Sequence, residues 1–527
     1  MQRAQLLERL AQPHRYDLAV VGGGATGLGV ALDAAARGLS VVLLESHDFA
    51  GGTSSRATKL VHGGVRYLAQ GNLSLVREAL HERTTLLRNA PHLAQPLAFV
   101  MPAYRWWELP FYGVGLKAYD ALAGAAGLGR TEFLGPGQAL QALPNLRTQG
   151  LKGGVRYWDG QFDDARLALA LARTAAREGA LVVNHCAVTG LTHEAGRVTG
   201  LHCADRETGR AFRLEAGCVV NATGVWVDAL RQLDGQATGR AVQPLVAPSQ
   251  GVHLVVDADF LPGHQALIVP RTADGRVLFA VPWLGKVILG TTDTPRQDLP
   301  REPQAQAQEV DLILSEIGRY LVRVPTLRDV RSQWVGLRPL VRPAQDEPGA
   351  TRAISREHTV QVSPSGLVTV TGGKWTTYRA MAEDVLTQCV QADLLKPFPE
   401  RLSRGVTTDL RLVGGDAASP ASVDLSQPPG LHLYGAEAPR VQALPGADRL
   451  LGGGLTEAMV RFAARHEYAR TVEDVLARRS RLLFLDARLA AALAGEVAAL
   501  LRQETGADPA EADFLALAAG YLPAASN

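Results

Sequence analysis

Apolar positions near the start of the chain fall in a strand, turn, helix, strand order. Tyr16 to Val21 is an apolar run of strand length, and it leads directly into Gly22-Gly23-Gly24-Ala25-Thr26-Gly27. Ala25 to Ala36 reads as a helix closed by Arg37-Gly38, and Ser40 to Leu44 as a second buried strand. Glu45 stands at the end of that strand, 18 residues after Gly27. Each position has a physical task in holding a dinucleotide. Gly22 permits a tight turn, Gly24 lets backbone approach a pyrophosphate, and Gly27 allows close helix–strand packing. The helix start offers N–H groups and a positive dipole end to phosphates, and Glu45 can accept hydrogen bonds from a ribose diol.

Further along, the pattern breaks into pieces that can serve the same pocket. A Gly/Ser/Thr-rich loop from Gly51 to Lys59 is followed by His62-Gly63-Gly64-Val65-Arg66-Tyr67. Such a loop can follow a long cofactor toward its far end. The strand Cys218-Val219-Val220 runs into Asn221-Ala222-Thr223-Gly224, and Leu367 to Val370 runs into Thr371-Gly372-Gly373-Lys374 at a helix start. Arg276 to Val281 and Lys286 to Leu289, joined by Pro-Trp-Leu-Gly, predict an antiparallel hairpin. Asp163 is expected to cap a helix from Ala165 to Glu178. Residues 400 to 450 are rich in Pro, Gly and Ser and read as a linker. Helical patterns then cover Thr456 to Glu467, Thr471 to Arg479 and Asp486 to Gln503, with Arg465, Arg470, Arg478, Arg479 and Arg481 read as a solvated basic face.

Composition narrows the class. The 527 residues carry 54 Lys plus Arg against 52 Asp plus Glu, a balance that excludes a dedicated polybasic nucleic-acid binder. Four cysteines without CxxC spacing fit neither a disulfide scaffold nor a cysteine zinc site, and suit a reducing compartment. Glu8 interrupts the first apolar stretch, so no signal-peptide core is present there. The nearest approach to a membrane span, Gly113 to Gly129, contains Lys117 and Asp120. Residues 104 to 119 nevertheless hold six aromatics with Arg105 and Lys117 beside them. That segment reads either as a membrane-interface patch or as an aromatic wall of a substrate domain.

GGGATGLG, TSSRATKLVHGGVRYL, YWDGQFDDARL, VNATGVWVD, GTTDT, GLRPL and TGGKWTTYR occur in this order. Together they resemble the FAD-dependent glycerol-3-phosphate dehydrogenase family over roughly residues 15 to 390, with a helical C-terminal extension also typical of that family. The resemblance implies a glutathione-reductase-like Rossmann FAD-binding domain, an α+β substrate (cap) domain and a helical C-terminal domain. It places the FAD domain at 1–82, 155–230 and 345–395, the cap at 83–154 and 231–344, and the C-terminal part at 396–527.

The same resemblance implies oxidation of sn-glycerol 3-phosphate to dihydroxyacetone phosphate, hydride passing to FAD and electrons onward to a membrane quinone. Motif by motif, it assigns Gly22, Gly24, Gly27, Glu45, Thr53, Ser54, Ser55, Lys59, His62, Val188, Ala222, Thr223, Gly224, Gly373, Lys374 and Thr376 to the cofactor. It assigns Arg66, Tyr67, Arg338, Arg356 and Lys374 to the substrate, and names His253, Arg338 and Lys374 as catalytic, with His253 at the reacting hydroxyl. No metal is implied. It further implies peripheral attachment to the inner face of the cytoplasmic membrane, and it allows a homodimer. Trp375 stands where a smaller aliphatic residue is common, and the stretch from Val341 to Thr351 is longer than the family pattern. Competing readings are a peroxide-forming glycerol-3-phosphate oxidase, a D-amino-acid or glycine oxidase, and a non-catalytic flavin-binding or tRNA-modification partner.

Overall fold

The computed structural model describes residues 3–64, 72–273, 275–342, 358–416 and 423–523. Two sheets organise the chain. In the first, Leu367–Gly372, Ala211–Asn221, Arg15–Val21, Val41–Leu44 and Leu181–Val183 lie side by side and parallel. His358–Val362 adds an antiparallel edge, and Cys186–Glu194 with Arg197–Asp205 extend from Ala211–Asn221. The parallel strands are short, β-branched and buried on both faces, as crossover helices require. Those helices are Ala25–Ala36, packed between Asp164–Arg177 and Tyr378–Gln391. Asp163 caps Asp164–Arg177, accepting from Arg166 N at 3.2 Å.

The second sheet runs Thr294–Pro295, Val246–Asp257, Lys286–Gly290, Leu278–Trp283, Ala266–Val269, Ala94–Ala103, Gly153–Phe162 and Leu60–Val61. Ser332–Val341 pairs with Val246–Asp257 over ten positions. The hairpin expected around Pro-Trp-Leu-Gly is present, and its turn uses positive φ at Leu284 and Gly285. One boundary differs from the expectation. Gly153–Phe162, placed from residue 155 in the nucleotide-binding part, pairs along its whole length with Ala94–Ala103 in the second sheet. It is buried at eight of ten positions, so its pattern suits either sheet and does not select one.

The C-terminal part contains Glu457–His466, a π-helical turn Asp474–Arg479, Leu482–Leu485, Ala487–Thr505 and Glu511–Gly520. The last of these was not expected from the sequence. Phe484, Tyr521 and Val497 share one apolar core with Trp283 and Trp334 of the second sheet, so the module is packed onto it. The arginines read as a solvated face are a second correction, because Arg478, Arg479 and Arg481 are buried. Arg478 and Arg479 both donate to Asp48, and Arg478 reaches Asp474 Oδ1 at 2.9 Å. Arg481 donates to Ser55 O at 2.8 Å and Asp164 Oδ1 at 3.1 Å, while Lys59 Nζ takes Asp164 Oδ2 at 2.7 Å. Arg465 and Arg470 are matched by Glu504 and Glu207. Among the described residues, no helix is long and apolar enough to cross a membrane.

Removing one member of a buried charged cluster strands the others, at about 3–5 kcal/mol. Arg481→Met is expected to lower stability by about that much, read as a fall in the thermal unfolding midpoint. An unchanged midpoint would mean that the cluster adds no net stability.

Candidate active site

The two sheets meet over a cavity of about 1130 Å³. On one side it is built by close backbone approach. Gly22 has φ +111°, and a Cβ there would lie 2.5 Å from Ala222 O on the neighbouring strand. A Cβ at Gly27 would lie 2.0 Å from Gly22 O, so the helix Ala25–Ala36 seats only with glycine at this point. Gly24 precedes that helix without a side-chain cap, and Ala25 N donates to Ser54 Oγ at 2.9 Å. The Glu45 carboxylate is braced by Gly23 N at 2.7 Å and His47 N at 2.9 Å. Helix start, glycine cradle and acid therefore face one space, which fits the pyrophosphate and ribose of a dinucleotide.

The cavity wall brings together Gly22, Gly24, Glu45, Thr53, Ser54, His62, Val188, Ala222, Thr223, Gly224, Gly373, Lys374 and Thr376 with His253 and Arg338. Gly27, Ser55 and Lys59 stand behind it. Gly27 acts in packing. Ser55 is buried and presents its carbonyl to Lys59 Nζ and Arg481. Lys59, expected at the cofactor, turns the other way. Its φ is +64°, and its Nζ lies 5.2 Å from the ring centroids of Trp283 and Trp334, bound to Asp164. Burial pulls its ammonium down to about 7. Trp375 braces the cofactor loop, donating from Nε1 to Ser54 O at 2.8 Å. Arg66, Tyr67 and Arg356 lie outside the described residues.

At the other end of the cavity, register places the polar groups. Arg338 lies opposite Ser249 on paired strands, and its guanidinium is fixed by Gln250 O at 3.1 Å and Thr292 O at 2.9 Å. His253 is buried, stacked on Trp334 at 5.1 Å, with Nε2 2.9 Å from Thr58 Oγ1. Burial, with Lys59 and Arg338 nearby, holds its imidazole well below the usual histidine range. The motifs did not point to Arg276 and Arg301, which also line the wall. Neither belongs to the motifs that carry the resemblance, and only the fold delivers them. A further stretch of wall is apolar, formed by Phe99, Met101, Tyr112, Leu116 and Tyr157. Asp48, His185 and Asp474 place ligand-type atoms within 4.8 Å of one another. Arg478 and Arg479 already neutralise those carboxylates, so the group is an ion-pair cluster.

Residues 17–383 match the family model for FAD dependent oxidoreductases, and residues 405–512 match the C-terminal domain of alpha-glycerophosphate oxidase. The mitochondrial glycerol-3-phosphate dehydrogenase of Bos taurus is 41% identical over 96% of this chain and 72% of its own length. That of Schizosaccharomyces pombe is 37% identical, over 98% and 88%. The chain belongs to the FAD-dependent glycerol-3-phosphate dehydrogenases. FAD is its cofactor. The FAD complex of the Bacillus halodurans glycerol-3-phosphate dehydrogenase matches at a TM-score of 0.74 and 28% identity, covering 100% of this chain and 98% of that one. FAD carries the pyrophosphate and ribose that the glycine cradle and Glu45 fit.

A histidine kept neutral by the fold makes stability depend on pH. Below about 6.5 the unfolded chain takes up a proton that His253 in the fold does not, so stability falls as pH falls. His253→Gln should flatten this loss by about 1.4 kcal/mol per pH unit between pH 6 and 5, measured by denaturant unfolding.

Proposed function

We propose that this chain oxidises sn-glycerol 3-phosphate to dihydroxyacetone phosphate and delivers the electrons to a membrane quinone. The observation that carries the reading is one cavity wall that holds the glycine cradle together with His253, Arg338 and Lys374. Bound FAD supplies the hydride acceptor. The chain's own groups must hold the phosphate, orient C2 and manage the hydroxyl proton. Arg338 suits the anion because Gln250 O, Thr292 O, Thr291 Oγ1 and Asp293 hold its guanidinium in place before substrate arrives, and substrate oxygens would share its positive charge with Asp293. Arg338 remains charged, so it stabilises negative charge and does not take the proton. His253 is neutral in this setting and can accept a hydrogen bond from the hydroxyl. An arriving phosphate dianion offsets the field of Lys59 and Arg338 and raises the proton affinity of His253.

Peripheral attachment to the inner face of the cytoplasmic membrane is part of this reading. The helix Glu108–Ala123 and the residues before it leave Trp106 79% exposed, Phe111 67% and Val114 69%. Arg105 and Lys117 are exposed beside them. Apolar side chains ringed by cations suit an anionic bilayer surface, where quinone is found. The opposite face of the same helix carries Tyr112 and Leu116 to the apolar part of the cavity wall.

The match to the alpha-glycerophosphate oxidase C-terminal domain favours a second reading, in which oxygen accepts the electrons as peroxide. Peroxide yield per substrate consumed separates the two.

Arg338→Ala is expected to keep FAD and lose about 10²–10³-fold in kcat/KM. The check is anaerobic bleaching of the flavin band by sn-glycerol 3-phosphate, with glycerol and D-alanine as controls. Near-normal efficiency would remove Arg338 from the site. Replacing Trp106, Trp107 and Phe111 with Ser should reduce co-sedimentation with anionic vesicles while leaving turnover with a soluble dye acceptor intact; unchanged sedimentation would reject this docking surface.

A further inference from the structure

The cavity wall includes a buried acid to which the reaction gives no part. Asp159 lies on Gly153–Phe162, and both of its oxygens are engaged. Oδ1 accepts from Arg83 Nη1 at 2.9 Å and Gly160 N at 3.1 Å, and Oδ2 accepts from Tyr119 Oη at 2.8 Å. A carboxylate so saturated is poorly placed to take a proton from substrate. It is well placed to orient Tyr119. The Tyr119 hydroxyl, its proton committed to Asp159, accepts from Gly63 N at 2.9 Å. Tyr119, Asp159 and Arg83 are all essentially without solvent exposure.

Gly63 lies between His62 and Gly64, both on the cavity wall. It fits its neighbours so closely that a Cβ there would lie 2.3 Å from Tyr119 Oη and 2.6 Å from Leu80 Cδ2. On the other side, His62 O faces Thr376 Oγ1 at 3.5 Å. The main chain from His62 to Gly64 is thus held between the residue group around Lys374 and a phenol inside the cap region.

The geometry assigns to Tyr119 the role of a positioning residue for the cavity wall from His62 to Gly64, with Asp159 and Arg83 orienting its hydroxyl. It acts by fixing the backbone of His62 to Gly64, and touches neither cofactor nor substrate. This assignment rests on the reading that the cavity holds substrate beside FAD. A small displacement of wall groups is costly for a reaction that needs near-contact alignment, and a buried Gly63 N–H without its acceptor will not keep its place.

The test is Tyr119→Phe, which keeps the ring and removes the hydroxyl. The FAD-loaded enzyme should retain full flavin content and a thermal midpoint near that of the parent. Its kcat/KM for sn-glycerol 3-phosphate should fall about 10- to 100-fold, while KM for a soluble dye acceptor stays unchanged. Asp159→Asn, which keeps an acceptor for the hydroxyl, should show a smaller loss of the same selectivity. If Tyr119→Phe fails to fold, Asp159→Asn decides: a loss confined to the substrate side supports the role, and none overturns it. Efficiency within threefold of the parent in Tyr119→Phe, or an equal loss toward substrate and dye, also overturns it. Loss in Arg338→Ala with none in Tyr119→Phe removes this role alone; no loss in either removes the site reading with it.

Discussion

Asp164 sits at the junction of all three parts of the chain. It begins a helix that packs on the parallel sheet, it binds Lys59 at the foot of the cofactor loop, and it binds Arg481 from the C-terminal module. It also accepts from Ala57 N at 3.1 Å. Carboxylate, ammonium and guanidinium are all withdrawn from water here. Bringing them inside is unfavourable for each ion alone, and becomes tolerable only when all are present with their hydrogen bonds made. The loop that cradles FAD is consequently coupled to residues far from any cofactor atom. Ser55 O, which accepts from both Lys59 and Arg481, is where that coupling reaches the loop.

The cavity is assembled by two different kinds of constraint. At the cofactor end, backbone meets backbone and glycine is required by distance. At the substrate end, strand register decides which side chains converge. Arg338 and His253 come from antiparallel partners whose pairing runs unbroken from Val246 to Val255, so a single-residue slip of Ser332–Val341 would turn Arg338 away from the face that carries His253. An apolar stretch continues that wall toward an exposed aromatic helix. On the proposed function, a polar phosphate ester and a lipid-soluble electron carrier would each meet a matching part of this wall.

What could be read from the residues was mostly local. The strand, glycine, helix, strand and acid order identified the dinucleotide cradle because each element is set by neighbours a few positions away. Arg338 and Lys374 sit in compact motifs, and the fold brings both to the cavity wall. The C-terminal arginines were misread for the opposite reason. As a run they resemble a solvated face, and the acids that neutralise them, Asp48 and Asp164, lie hundreds of positions earlier. Lys59 was misplaced because a loop motif does not state which way a side chain turns once φ becomes positive. The boundary drawn at residue 155 cuts through Gly153–Phe162 because near-continuous burial carries no information about which strand it will meet.

The bond from Arg481 to Ser55 spans 426 residues. A ribosome adding about 5–20 residues per second needs on the order of 20–90 s to cover that distance. Throughout that interval Ser55 O lacks the Arg481 donor behind the loop. A chain interrupted before Arg481 therefore lacks that brace behind the loop.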